Sequence, residues 1–188
     1  TLYFYEDIFN FLKNKLLLLK ILFSSLPVMM IGFFLIKFGL IEKIRNLETI
    51  AWMTIIFGLL LYVSDQFNLK KNLQNNFTFK SAIIIGLFQI LSLIPGVSRS
   101  GIAITAARLL NFKRVDSAKI SFLLSIPILG GVSFFGLKNL FLLNDTYLMK
   151  LNLLSMFTSF IFSLITIKYF LKYINKFNLN LFVYYRIL

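Results

Sequence analysis

Long apolar segments alternate with short polar segments along the whole chain. A transmembrane helix needs about 20 predominantly apolar residues, and this pattern predicts four membrane spans, at residues 16–36, 49–64, 120–137 and 151–167, with 180–188 beginning a fifth. Residues 1–15 are mixed and predict an interfacial helix or a loop. The pattern therefore predicts an all-α, polytopic transmembrane helix bundle that forms a single integral membrane domain over residues 1–188.

Two further apolar segments, residues 81–94 and 101–112, are too short to cross a bilayer. At about 1.5 Å per residue the first reaches only about 21 Å, whereas the hydrocarbon core is about 30 Å thick. The turn between them contains Pro95, Gly96 and Gly101, which interrupt helices. Residues 81–112 are therefore predicted to form a re-entrant helix-turn-helix hairpin. Two complete spans remain the alternative, because both arrangements leave the flanking loops on one side of the membrane.

The turn itself, Leu93–Gly101, carries the candidate chemistry. An arginine at membrane depth costs much free energy and indicates a functional site. A new helix is predicted to begin after the turn, at Ile102, so that the turn's side chains crowd a helix N-terminus that favours anions. We predict a site for a lipid-borne phosphate, with Arg99 and Ser98 as catalytic residues. The predicted substrate-binding residues are Gly96, Ser98, Arg99, Ser100, Gly101 and, one to two turns earlier, Gln89.

The alternative reading of these residues is structural. Arg99 would then be an interfacial loop residue, and the serines and glycines would be ordinary turn and N-cap residues. Gln89 would hydrogen-bond a neighbouring helix. Arg108 is predicted to extend its guanidinium to the interface beside Lys113.

Composition agrees with a membrane protein, since 59% of the residues are hydrophobic and the mean hydropathy is +0.84. The net charge of +13 lies mostly in lysines between the apolar segments, where it sets topology, so nucleic acid is not an expected partner. The basic stretches 13–20, 65–80, 113–119 and 168–176 fall on one side, which the positive-inside rule makes cytoplasmic.

Several kinds of chemistry are excluded by residue content. The chain has no histidine and no cysteine, so its own residues provide neither imidazole nor thiol chemistry. Its seven carboxylates all lie outside the apolar segments, and no pair has the spacing of an acid/base couple or a metal site.

Three motifs resemble the undecaprenyl-diphosphate phosphatase family of the BacA/UppP type. They are Gly86–Gln89, Leu93–Gly101 and Ser121–Pro127, and the ending Tyr184–Ile187 is similar to that family's last helix. The resemblance implies hydrolysis of undecaprenyl diphosphate to undecaprenyl phosphate and inorganic phosphate, which recycles the lipid carrier for cell-wall synthesis. It implies a multi-pass protein of the bacterial cytoplasmic (inner) membrane, a site open to the periplasm, and an inverted repeat in which residues 81–112 form the second hairpin.

The resemblance also implies parts that these residues lack. The family's first hairpin bears a glutamate-rich motif with serine and histidine, and the resemblance implies that this motif binds a divalent metal ion, Mg or Ca. That motif is absent here, so we expect a segment upstream of Thr1 to encode it, with the metal ligands outside this chain. Ala103 stands where the family tends to have threonine, and Thr105 lies two residues further on. The resemblance implies that the family's threonine contacts the substrate, and Ala103 lacks the hydroxyl for this contact.

Other functions fit the same pattern. A polyprenyl-phosphate flippase or anion transporter also uses broken helices whose positive ends face an anion. A non-catalytic membrane scaffold would leave Arg99 dispensable. The expected partners are a polyprenyl diphosphate lipid, the membrane and, as a further possibility, a second copy of the chain in a homo-oligomer.

Overall fold

The computed structural model describes residues 14–66, 70–142 and 146–187, and these residues are almost entirely helical. The prediction for residues 1–15 lies almost wholly outside the described part. The helices are α1 (Lys15–Lys37), α2 (Leu40–Ile44), α3 (Leu47–Asp65), α4 (Leu73–Asn76), α5 (Phe79–Ile90), a 3-10 turn (Leu91–Leu93), α6 (Arg99–Leu109), α7 (Arg114–Leu142), α8 (Thr146–Lys176) and α9 (Asn180–Ile187).

The four predicted spans are confirmed as helices that are long and apolar enough to cross a membrane. The qualifying segments are Lys15–Lys37, Leu47–Asp65, Arg114–Phe134 and Tyr147–Lys176. Large apolar side chains point outward from them, such as Phe33, Trp52 and Phe162 at 59, 59 and 69% exposure. An outward apolar surface of this kind suits contact with lipid, so the chain is a multi-pass, all-α membrane protein.

Local hydrogen bonds explain where several helices begin. Asn14, Asn46, Thr78 and Ser98 each precede a helix and accept a hydrogen bond from a backbone N–H three residues later. Asparagine, serine and threonine are preferred at this position because they satisfy donors that the first helical turn cannot.

The predicted hairpin is present as two short helices, α5 and α6, of 12 and 11 residues. Their outer ends meet, since the rings of Phe77 and Phe112 lie 6.2 Å apart. Lys71 joins this base through its backbone: its N–H donates to the Asn111 carbonyl at 3.0 Å, and its carbonyl accepts from the Lys113 N–H at 3.1 Å. The hairpin therefore returns to the end of the bundle from which it starts.

Both bounds of the second half-helix were predicted wrongly. The second half-helix begins at Arg99, not at 101 or Ile102, and ends at Leu109, not Phe112. It starts earlier because Ser98 supplies the capping oxygen, so the helix includes Arg99 itself. The arginine is thus the first residue of α6.

Helix α6 is the most enclosed element near the turn, and it packs against α3, α5 and α7. Every residue from Gly101 to Arg108 is buried. Small residues allow this, as Ala103 and Ala107 are fully buried. Close packing also occurs at Gly86, where a Cβ atom would overlap the Ser24 carbonyl of α1.

Candidate active site at the hairpin turn

The turn is held against α3 at Gly96. The backbone of Gly96 has φ +94°, and a Cβ atom there would lie 2.5 Å from the Ile50 carbonyl oxygen. The Thr54 hydroxyl donates to the Ile50 carbonyl of its own helix at 2.7 Å and also lies 3.3 Å from the Gly96 carbonyl oxygen. Glycine is required here both for the left-handed backbone and for the close approach of α3.

Ser98 organises the first turn of α6. Its hydroxyl accepts from the Gly101 N–H at 3.1 Å, and its carbonyl accepts from the Ile102 N–H at 2.9 Å. The hydroxyl oxygens of Ser98 and Ser100 lie 3.2 Å apart. In the described part of the chain the N–H groups of Arg99 and Ser100 have no acceptor, as is usual for a first helical turn. The structure thus brings the predicted residues 96–101 together at one helix N-terminus.

A second arginine lies at the same place, and the sequence did not single it out. Nη1 of Arg186, in α9, lies 3.3 Å from the point where a Gly101 Cβ would stand. Its own Cβ lies 3.6 Å from the equivalent point on Gly58 of α3. Glycines at 58 and 101 therefore leave room for this side chain. The only signal in the sequence was the similarity of Tyr184–Ile187 to the family's last helix, which says nothing about what Arg186 contacts.

Comparison with known proteins supplies the family. The family model described as "Bacitracin resistance protein BacA" matches residues 1–188. The chain belongs to this family. It is 48% identical over 188 residues to an undecaprenyl-diphosphatase of Pelagibacter ubique, covering 99% of this chain and 73% of that protein. The resemblance stated from the motifs is therefore confirmed.

More distant relatives carry the same name. An undecaprenyl-diphosphatase of Tropheryma whipplei is 41% identical over 172 residues, which cover 88% of this chain and 60% of that relative. One of Saccharophagus degradans is 39% identical over 203 residues, covering all of this chain and 74% of the relative. The BacA-family chain thus spans between three fifths and three quarters of the length of these relatives.

Thr105 and Ala103 do not present their side chains at the turn. The Thr105 hydroxyl donates to the Gly101 carbonyl of its own helix at 2.9 Å, and the residue is 1% exposed. Ala103 is fully buried. A nearer polar neighbour is Ser121 of α7, whose hydroxyl donates to the Ser100 carbonyl at 3.4 Å.

Gln89 is fully buried near the end of α5. Neither its amide oxygen nor its amide nitrogen has a hydrogen-bond partner among the residues that the structure describes. An unsatisfied buried amide costs free energy, so this residue is a candidate for a contact with another group. Its predicted role in substrate binding stays a prediction.

The prediction that Arg108 reaches the interface is wrong. Arg108 is 3% exposed, and its Nη2 donates to the Asp65 carbonyl at 2.9 Å while Nη1 donates to the Phe112 carbonyl at 3.2 Å. Its Nε lies 3.3 Å from Oδ1 of Asp65. The buried carboxylate provides the charge that keeps this arginine inside, and nothing in the local pattern around Arg108 indicates it.

The described residues do not fit a divalent metal ion. Mg²⁺ and Ca²⁺ prefer carboxylate and carbonyl oxygens, and no group of three or more His, Cys, Asp or Glu residues comes together in residues 14–66, 70–142 and 146–187. The turn instead offers hydroxyls, N–H donors and guanidinium groups. These groups bind anions.

Proposed function

We propose that this BacA-family chain acts in the hydrolysis of undecaprenyl diphosphate to undecaprenyl phosphate and inorganic phosphate, with the hairpin turn binding the diphosphate. The observation that supports this most is the meeting of Arg99, Arg186 and the N-terminus of α6 at one place. The relatives named as undecaprenyl-diphosphatases give the same reaction.

Each group at the turn has a role in this reaction. A guanidinium can hold two phosphate oxygens with paired, charge-assisted hydrogen bonds, and we assign this role to Arg99. The hydroxyls of Ser98 and Ser100 and the N–H groups of Arg99 and Ser100 supply further donors. Arg186 adds a second positive charge at the same end of α6.

Hydrolysis breaks the bond between the terminal phosphorus and the bridging oxygen, and the bridging oxygen leaves with undecaprenyl phosphate. A water oxygen bonds to the phosphorus and releases a proton, which gives inorganic phosphate. Negative charge on the phosphate oxygens is redistributed as this happens, and donors already in place stabilise it without reorganisation. We therefore assign to Arg99 and Ser98 the stabilisation of the reacting phosphate. The nucleophile is not assigned to a residue of this chain.

We propose that the protein lies in the bacterial cytoplasmic membrane with the turn facing the periplasm. The positive-inside rule supports this orientation, because Lys71, Lys80 and Lys113 lie at the base of the hairpin and the turn lies at the other end of its helices. The apolar outer surface provides contact for a polyprenyl tail. A homo-oligomer stays a prediction.

The test is phosphate release from undecaprenyl diphosphate by the purified natural protein in detergent. Arg99→Lys keeps the charge but loses the planar fork, and loss of one charge-assisted hydrogen bond of about 1.5–3 kcal/mol lowers kcat/KM about ten- to a hundredfold. Arg45→Lys is the matched control, since Arg45 is exposed in a polar connection, and it should keep full activity.

Two outcomes would contradict the proposal. Near-normal turnover by Arg99→Lys would show that Arg99 does not bind the phosphate through paired hydrogen bonds. If the wild-type protein releases no phosphate but moves polyprenyl phosphate between the leaflets of vesicles, the transporter alternative is correct. The names of the relatives favour the phosphatase.

A further inference from the structure

A buried carboxylate, Asp65, joins the end of its own helix, α3, to the ends of three other helices, α6, α7 and α9, on the side of the bundle away from the turn. It is the last residue of α3 and is 2% exposed. Its Oδ1 accepts from Nε of Arg114 at 2.8 Å, and its Oδ2 accepts from the Leu179 N–H at 2.9 Å. Arg108 at the end of α6 contacts both its carboxylate and its carbonyl.

The contacts of Asp65 provide the ion pairs and hydrogen bonds that a buried carboxylate needs. A buried charge is tolerated only when it is paired and hydrogen-bonded. The two arginines also donate to the Asp65 carbonyl, at 2.9 and 3.3 Å, one of the α3 C-terminal carbonyls that helix geometry leaves without an intrahelical partner. Removing the carboxylate charge would leave two guanidinium groups close together with no anion between them.

The Leu179 N–H links Asp65 to the start of α9, and α9 carries Arg186 to the active-site side. Leu179 immediately precedes α9, a helix of eight residues, and a helix this short is not stable without tertiary contacts. Leu179 and Val183 are buried against Leu61 of α3. At about 1.5 Å per residue, Arg186 lies about 10 Å further along the helix axis. The position at which α9 starts therefore determines the position of the Arg186 guanidinium.

We propose that Asp65 is a positioning residue that fixes the start of α9 and so places Arg186 at the N-terminus of α6. This inference rests on the proposed function in one respect: the proposed function supplies the phosphate that Arg186 binds. Asp65 is remote from the turn, because α3 contacts the turn at Ile50 and Thr54 near its other end.

The first experiment is a double-mutant cycle on phosphate release by the natural protein. Asp65→Asn removes the charge and should lower kcat/KM about tenfold, the loss expected for one charge-assisted hydrogen bond. In an Arg186→Ala background the same change should cost less than about twofold, because the residue being positioned is gone. Glu42→Gln, which alters an exposed carboxylate, should change neither background. Equal losses from Asp65→Asn in both backgrounds would overturn the proposal.

A second measurement does not depend on activity. The 188 residues contain no cysteine, so spin labels at Trp52→Cys in α3 and Tyr185→Cys in α9, which are 59 and 83% exposed, report the position of α9. Asp65→Asn should broaden or shift the distance between them, and Glu42→Gln should not. An unchanged distance in Asp65→Asn would refute positioning even if activity falls, and it can be measured even if no phosphate is released.

If Asp65→Asn does not fold, the Leu179 contact can be changed alone. Leu179→Pro removes the N–H that Asp65 accepts, whereas Leu179→Ala keeps it. The proline variant should broaden the label distance and lower kcat/KM about tenfold beyond the alanine variant. Identical behaviour of the two variants would show that this hydrogen bond does not position α9.

Discussion

Gly96 shows how one residue serves two requirements of the turn. Its φ of +94° suits glycine, and the Ile50 carbonyl occupies the space that a side chain would need. The Pro95-Gly96 pair predicted the turn, because such pairs are local signals. The approach of Ile50 could not be predicted, because it depends on how a distant helix packs.

We expect Gly96→Ala to destabilise the protein more than Gly39→Ala. Gly39 also has positive φ, +62°, but nothing lies within 4 Å of its missing side chain. Gly39→Ala should cost about 1 kcal/mol of backbone strain, and Gly96→Ala should cost that plus displacement of the turn. Thermal unfolding in detergent measures both. A smaller effect at Gly96 would mean that the contact with Ile50 is looser than the structure has it.

Ser98→Ala should reduce both stability and activity. Loss of its capping hydrogen bond costs about 1 kcal/mol, and loss of a phosphate donor lowers kcat/KM, though no more than Arg99→Ala does. Thr78→Ala is the control, since Thr78 caps α5 in the same way, accepting from the Ser81 N–H at 3.2 Å. Equal catalytic losses from the two variants would assign Ser98 a structural role only.

The sequence predicted that the turn residues of the candidate site come together, and it did not predict which distant residues lie beside them. Residues 96–101 are adjacent in the chain, so their assembly at a helix N-terminus follows from the turn alone. Arg186 and Asp65 join the site or its support through packing of helices far apart in the sequence. The sequence places Asp65 outside the apolar segments, at the start of the polar stretch 65–80, and its burial between two arginines was not predictable from its neighbours.

At the scale of elements, length and hydropathy predicted the spans and the two short helices of the hairpin. The helix ends were predicted less accurately than the helices themselves, because one or two hydrogen bonds determine where a helix ends. Because Ser98 caps α6, the helix starts at Arg99, earlier than the sequence predicted. This shift places the arginine in the first helical turn, where the helix dipole favours a bound anion.

Packing between α1 and α5 gives a prediction at this scale. Gly86→Ala should lower the unfolding temperature, because the new methyl would lie 2.9 Å from the Ser24 Cα and closer still to its carbonyl. Gly130→Ala is a matched helical control with nothing within 4 Å, and it should be neutral or stabilising by up to about 1 kcal/mol. An unfolding temperature that is the same for both variants would contradict the close packing of α1 and α5.

At the scale of the whole molecule, the closed base of the hairpin places its two ends on one side. Cysteines at Lys80 and Lys113, both exposed, should react with a membrane-impermeant thiol reagent only from the cytoplasm. A cysteine at Ser100, which is exposed, should react from the periplasm, whereas Val97 is only 7% exposed and is a poor probe. Labelling of position 100 only from the cytoplasm would show that the turn faces the cytoplasm and would contradict the proposed orientation.

The backbone contacts of Lys71 limit which sequence changes the base of the hairpin can tolerate among members of this family. Both hydrogen bonds at the base of the hairpin use main-chain atoms, so exchange of the lysine for most other residues leaves them intact. A proline at position 71 would remove the donor, and a one-residue insertion or deletion between Asn111 and Lys113 would shift the pairing. We therefore expect natural variation in this segment to change which residues are present while preserving their number.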